Sequence, residues 1–174
     1  MSSKKIVPVV IVLLGLLLTG CYQSVQVEIS EPVAEKALEI ALQQQGKPYQ
    51  WGGRGQEEFD CSGLITWSYK EAVGEKRIFR IGDYITTDAT MNDLYHWNVI
   101  MIPLEEIKPG DILFFTDRED LITHGGLFIK WVNENSFRFI HASSTRGEVV
   151  VEIRCIEDIN GGHWLEGAGR FKRS

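Results

Sequence analysis

The sequence predicts an α+β domain whose helices come first and whose antiparallel strands follow. Two observations predict this order. Apolar residues recur at helical spacing in two stretches before residue 75. From residue 112 onward, short apolar runs with period-2 alternation are separated by turn residues. No internal repeat, low-complexity tract or interdomain linker interrupts residues 31–174, so one domain is expected there.

The elements follow in order. Ser30-Glu31-Pro32 opens the first helix with a capping-type serine, an acid and a proline in the first turn. Val33, Ala37, Ile40 and Ala41 then recur at helical spacing, and Gly46 with Pro48 ends the helix. The loop Tyr49-Gln50-Trp51-Gly52-Gly53-Arg54-Gly55 carries three glycines. A second helix is predicted from about Cys61 to Val73, stopped by Gly74 and apolar around much of its circumference, hence central. Residues 75–106 carry no clear pattern. Five strands are predicted at 112–115, 127–131, 137–142, 148–153 and 165–171, with Asn133-Glu134-Asn135-Ser136 as the turn between the second and third.

The N-terminus reads as an export signal. Lys4 and Lys5 precede an apolar run, Ile6 to Leu18, that is too short to span a bilayer but suits a signal core. Leu18-Thr19-Gly20-Cys21 resembles the bacterial lipobox, which implies a signal peptide over 1–20, lipidation of Cys21 and a tether over 21–30. Two or three acyl chains anchor stably where one does not. With Tyr22 in the second position, the expected location is the outer membrane in a Gram-negative host, and otherwise the outer face of the plasma membrane.

Charge and composition exclude several classes. The chain is 44% apolar and 24% charged with a net charge of −6, and losing Lys4 and Lys5 with the signal makes it −8. Neither a disordered chain nor a basic nucleic-acid binder looks like this. There is no CxxC, HExxH or other metal-ligand spacing and no phosphate-binding glycine loop, so no metal and no cofactor are expected. If Cys21 carries lipid, a Cys61–Cys155 disulfide is arithmetically possible, but Cys155 follows an alternating strand and reads as a small buried hydrophobe.

The candidate chemistry gathers at Cys61. Asp60-Cys61-Ser62-Gly63 opens the second helix, where unpaired N–H groups and the dipole favour a thiolate. His124 opens one strand and His141 ends its hairpin neighbour, so the two rings can meet and serve as base and orienting partner. Taken alone, these residues fit a buried cysteine and two satisfied sheet histidines equally well.

Five blocks stand in a familiar order: Pro48-Tyr49-Gln50-Trp51-Gly52-Gly53, Asp60-Cys61-Ser62-Gly63-Leu64, Lys108-Pro109-Gly110-Asp111-Ile112-Leu113-Phe114-Phe115, His124-Gly125-Gly126-Leu127-Phe128-Ile129 and Phe139-Ile140-His141-Ala142-Ser143. Together they resemble the NlpC-type cell-wall peptidases, which are papain-like cysteine peptidases. The resemblance runs from residue 31 to 171. It implies a papain-like α+β fold, with the nucleophile at a helix start packed on an antiparallel sheet of about five strands. It further implies Cys61 as nucleophile, His124 as base and His141 as its orienting partner. Tyr49 would lie beside the nucleophile, the Cys61 N–H would bind the oxyanion, and Asp60 and Ser62 would recognise the free amine of a stem peptide. The implied reaction is hydrolysis of peptidoglycan stem peptides through an acyl-enzyme. The D-Glu(γ)–diamino acid bond is favoured, and a D-Ala cross-link is second. The rivals are a non-catalytic wall-binding lipoprotein and a thiol amidase or acyltransferase on another amide. At −8 the domain is not drawn to an anionic wall, so the anchor would supply proximity.

Four features depart from the pattern or stand outside it. Gly125 replaces a bulkier residue after the base, which predicts looser packing there. Residues 77–101 match no family block and form a candidate wall or lid, with His96 and Trp97 expected to be locally packed. His163 is expected to be solvated in an Asn160-Gly161-Gly162 turn. Asp117-Arg118-Glu119-Asp120 is expected to be a charged surface turn.

Overall fold

A computed structural model describes residues 31–118, 121–158 and 162–172. The signal segment, Cys21, Tyr22 and the tether lie outside the described residues, as do Glu119 and Asp120 of the charged turn. Helix α1 (Glu31–Leu42) and helix α2 (Cys61–Val73) pack on each other. Asp60 caps α2 by accepting from the Gly63 N–H, and Gly74 closes it in the left-handed region at φ 77°.

All five predicted strands form, and each is as long as expected or longer: β4 (Ile112–Arg118), β5 (Leu121–Asn133), β6 (Ser136–Ser143), β7 (Glu148–Cys155) and β8 (Trp164–Phe171). The unpatterned segment supplies the rest. Strands β1 (Phe79–Ile81) and β2 (Tyr84–Thr86) make a hairpin, and β3 (Val99–Ile102) joins the main sheet as a sixth strand in the order β3-β8-β4-β5-β6-β7. Every pairing in that sheet is antiparallel. Strand β3 is short and follows a helical turn (Met91–Asp93) that runs on into a π-turn (Leu94–Asn98). Thr90 and Asp93 cap that turn reciprocally. Buried Asn98 ties it to the hairpin, donating to the Arg80 and Asp93 carbonyls and accepting from the Arg80 N–H.

Two apolar clusters result from the strand alternation. Ile112, Phe114, Leu127, Ile140, Val149 and Phe171 pack with Leu64, Ile65 and Tyr69 of α2. Leu113, Phe115, Phe128, Phe137 and Phe139 form the second cluster. The fully buried Tyr69 stacks on Phe171 at 4.6 Å and donates its hydroxyl to the Gly110 carbonyl at 2.9 Å, which pins α2 and hence Cys61 against the sheet.

The cysteine expectation changes. Cys61 and Cys155 are both free, and Cys155 is exposed rather than buried. It ends β7 opposite Ser136, whose hydroxyl lies 3.3 Å from its sulfur, because the alternation in that strand turns outward at its last residue.

Candidate active site

Sequence position alone places the candidate nucleophile. Cys61 is the first residue of α2 and half-buried, and the backbone N–H groups of Cys61, Ser62 and Gly125 lower its thiol pKa. They do not prevail. Burial, followed by the Asp60 carboxylate, pushes the thiol up to about 12. Burial thus opposes the helix-start thiolate that the sequence predicts. The sulfur faces the Gly125 N–H, one residue from His124, although no hydrogen bond among the described residues joins it to the His124 ring. Such contacts often close only when substrate binds.

Strand register brings the histidines together. His124 stands opposite Phe115, beside a bulge that separates it from the Thr116–Ile122 pair. His141 lies diagonally across the β5–β6 pairing, and its Nδ1 is 2.7 Å from His124 Nε2. Gly126 makes room for it: a Cβ there would lie 3.0 Å from the His141 Cβ and 2.5 Å from the Ile140 carbonyl. The His141 ring stacks on Phe139 at 4.6 Å. Burial, then the neighbouring His141, His163 and Arg154, holds His124 well below its ordinary value, so it is a neutral imidazole at pH 7. His141 is lowered too, by burial, against the opposing pull of Glu152.

Tyr49 is half-buried beside the site. Its phenol is raised by burial and by the nearby Cys61 and Asp60. Asp60 and Ser62 are both buried and engaged internally. The Asp60 carboxylate accepts from Gly63 N at 2.6 Å, Gly52 N at 3.0 Å, Ser62 Oγ at 2.9 Å and Arg54 Nη1 at 2.5 Å. Arg54 Nη1 also reaches Ser62 Oγ at 3.1 Å, and its Nε meets Asp88 Oδ2 at 2.5 Å.

Several participants were not legible in the sequence. Arg54 and Asp88 are 34 positions apart and join the glycine loop to the unpatterned segment. Met91 fills the space above Gly125: a Cβ on that glycine would sit 2.1 Å from the Met91 methyl and 2.8 Å from the Leu113 carbonyl. The expected looseness is thus absent. Tyr95 packs edge-on against Phe114 at 5.2 Å and against His96 at 5.1 Å, so His96 has the expected local contact although it and Trp97 are exposed. His163 is only partly exposed, its ring 6.0 Å from that of His124, so it is not simply a solvated turn residue. Among the described residues no group of three His, Cys, Asp or Glu side chains is arranged to hold a metal ion.

The family model described as NlpC/P60 matches residues 46–173, from the glycine loop to the end of β8. The chain belongs to the NlpC/P60 family. Among its relatives, murein DD-endopeptidase MepH of Escherichia coli is 32% identical over 124 residues, 67% of this chain and 40% of that protein. The bifunctional muramidase/DL-endopeptidase CwlT of Bacillus subtilis is 35% identical over 98 residues, 55% of this chain and 26% of that one. The chain therefore spans less than half the length of either. The structure of NlpC1 from Trichomonas vaginalis superposes with a TM-score of 0.58 at 25% identity, covering 86% of this chain and 48% of its own. A few helices packed on an antiparallel sheet are thus the papain-like α+β arrangement of NlpC/P60 domains.

Proposed function

We propose that the protein is a cysteine endopeptidase that hydrolyses peptidoglycan stem peptides. The observation that carries this reading is the joining of His124 Nε2 to His141 Nδ1 at 2.7 Å beside a thiol at a helix start. Because Nε2 is engaged, Nδ1 of neutral His124 is the nitrogen available as a base. As Cys61 Sγ attacks the scissile carbonyl, its proton passes to His124 Nδ1, so the thiolate is generated during attack. The Cys61 N–H at the start of α2 stabilises the oxyanion. The C–N bond then breaks, His124 gives the proton to the leaving amine, and a thioester remains. Water attacks the thioester, losing a proton to His124, and the freed thiolate takes that proton back. Tyr49 walls the site. Asp60 and Ser62, braced through Arg54, are the groups proposed to recognise the free amine of the stem peptide.

The favoured bond is D-Glu(γ)–diamino acid, a reading in keeping with the DL-endopeptidase named among the relatives. A D-Ala cross-link is the second reading, favoured by the DD-endopeptidase relative. Mass spectrometry of purified wall fragments digested by the full-length chain in detergent, beside Cys61→Ala, separates them. New diamino acid or D-Ala termini name the bond, and loss of all products in Cys61→Ala assigns the nucleophile. Wild type that cuts no fragment of any stem length would sink the enzyme reading.

The proposed location is the cell envelope, through lipid on Cys21 after export by residues 1–20. Incorporation of labelled palmitate into wild type but not into Cys21→Ala tests it.

A further inference from the structure

The contact between the two imidazoles leaves a proton to be assigned. Each neutral ring carries one N–H, and only one hydrogen fits between His124 Nε2 and His141 Nδ1 at 2.7 Å. In one arrangement His124 Nε2–H donates to His141 Nδ1. His124 Nδ1 is then bare and can accept the thiol proton, and His141 carries its own hydrogen on Nε2. In the other, His141 Nδ1–H donates to His124 Nε2. His124 then carries hydrogen on Nδ1, and His141 Nε2 is a bare lone pair. That second arrangement leaves the base with no site for the thiol proton.

What lies beyond His141 decides between them. Its Nε2 is 3.2 Å from Glu152 Oε2, an ion-pair approach and not an aligned hydrogen bond, and has no hydrogen-bond partner among the described residues. Glu152 lies on β7, opposite Phe139 and so diagonal to His141, which pairs with Val150. His124, His141 and Glu152 therefore run obliquely across three successive strands, β5, β6 and β7. A carboxylate is an acceptor only, so it favours hydrogen on Nε2 and disfavours a bare lone pair facing it. Its other oxygen, Oε1, is held by Arg146 Nε at 3.2 Å. The His141 side chain is 6% exposed, so water has little access to compete for Nε2.

We propose that Glu152 is a positioning residue: it selects the Nε2–H tautomer of His141 and, through the 2.7 Å contact, the Nε2–H tautomer of His124 that leaves Nδ1 free to act as base. This rests on the reading of His124 as general base, and it gives β7 a part in the site. The groups facing the relay are Arg146 and Arg154 on the cationic side and His163 beside His124. Glu152 is the carboxylate among them that acts on His141.

Two variants and a spectrum test it. Loss of the orienting carboxylate costs serine proteases on the order of 10⁴ in kcat through the wrong tautomer. With one more imidazole between carboxylate and base, Glu152→Ala is expected to lose about 10- to 100-fold in kcat with KM within about twofold. Glu152→Gln keeps an oxygen acceptor and is expected to stay within about threefold of wild type. Ring ¹⁵N shifts of the full-length chain in detergent at neutral pH are read in parallel. Wild type and Glu152→Gln should both show His141 and His124 protonated on Nε2, and Glu152→Ala should show Nδ1 protonation appearing on both rings. A wild-type spectrum with His141 protonated on Nδ1 overturns the proposal, as does Glu152→Ala with wild-type kcat and shifts. If Glu152→Ala does not fold, the wild-type and Glu152→Gln spectra decide by the same criterion. The spectra judge Glu152 whether or not wall fragments are cut, so failure of the peptidase reading and failure of this inference are distinguishable.

Discussion

Met91 and Gly125 are complementary across the site: the methionine methyl occupies the space that a side chain on the glycine would need, 2.1 Å from the position of its Cβ. The residue after His124 is thus small because the segment at 77–101 brings its own filling. Gly125→Ala is expected to cost about 1–3 kcal/mol in urea unfolding and to lower kcat by displacing the His124 strand. Adding Met91→Ala should recover only part of this, since the Leu113 carbonyl at 2.8 Å cannot move out of the strand pairing. Full recovery would mean that the methionine alone sets the limit.

Arg54 holds the glycine loop, the start of α2 and the segment containing Asp88 in one cluster. Arg54→Ala leaves the buried Asp60 carboxylate with three N–H or O–H donors and no cation. Its expected cost is about 2 kcal/mol by urea unfolding, discounted from a buried pair because Arg54 is one-third exposed. Arg54→Lys should recover less than half, because a single ammonium cannot bridge Asp60 and Asp88 as the guanidinium does. A change under about 0.5 kcal/mol in Arg54→Ala would show that the helix N-terminus satisfies Asp60 unaided.

The thiol raised to about 12 has a kinetic consequence. Alkylation of Cys61 by iodoacetamide is expected to rise about tenfold per pH unit from pH 6 to pH 9, with no plateau near neutrality. A preformed thiolate–imidazolium pair would instead give a plateau across that range. Cys61→Ala is the blank, and it also exposes any labelling at Cys155.

His124 ties acid sensitivity to the same burial. Its pKa is held well below 6.5 in the folded chain, so between the two values the unfolded state binds the additional proton. Stability from this group is therefore fully present above pH 6.5 and is lost as pH falls from 6.5 toward the folded value. The urea midpoint should drop between pH 7 and pH 5, and His124→Gln should flatten that drop. An unchanged slope in the variant would assign the acid sensitivity to other groups.

Legibility varied with the range of the interaction that each feature depends on. Helix α2 was readable to the residue because its cap, its apolar face and its closing glycine are all local: Asp60, Leu64 and Ile65, and Gly74. The sequence pattern predicts five residues of strand β5, which spans thirteen, since Thr123-His124-Gly125-Gly126 has turn-like composition and is held as strand by pairing with β4. Strand β3 has no signature in the sequence. Four residues carry too little periodicity, and its place beside β8 depends on a partner some seventy positions away.

The sequence by itself determined the order of elements, the placement of Cys61 at a helix start and the candidacy of His124 and His141, because caps, periodicity and hairpins act over a few residues. It did not determine the state or the surroundings of those groups. That burial raises the Cys61 thiol against the pull of the helix N-terminus depends on how the folded chain packs around it. That Asp60 faces Arg54, that Met91 completes Gly125 and that Glu152 stands beyond His141 depend on loop closure and strand register. Proton positions in a buried site follow from which charges folding brings within a few ångströms, and only the tertiary structure sets those distances.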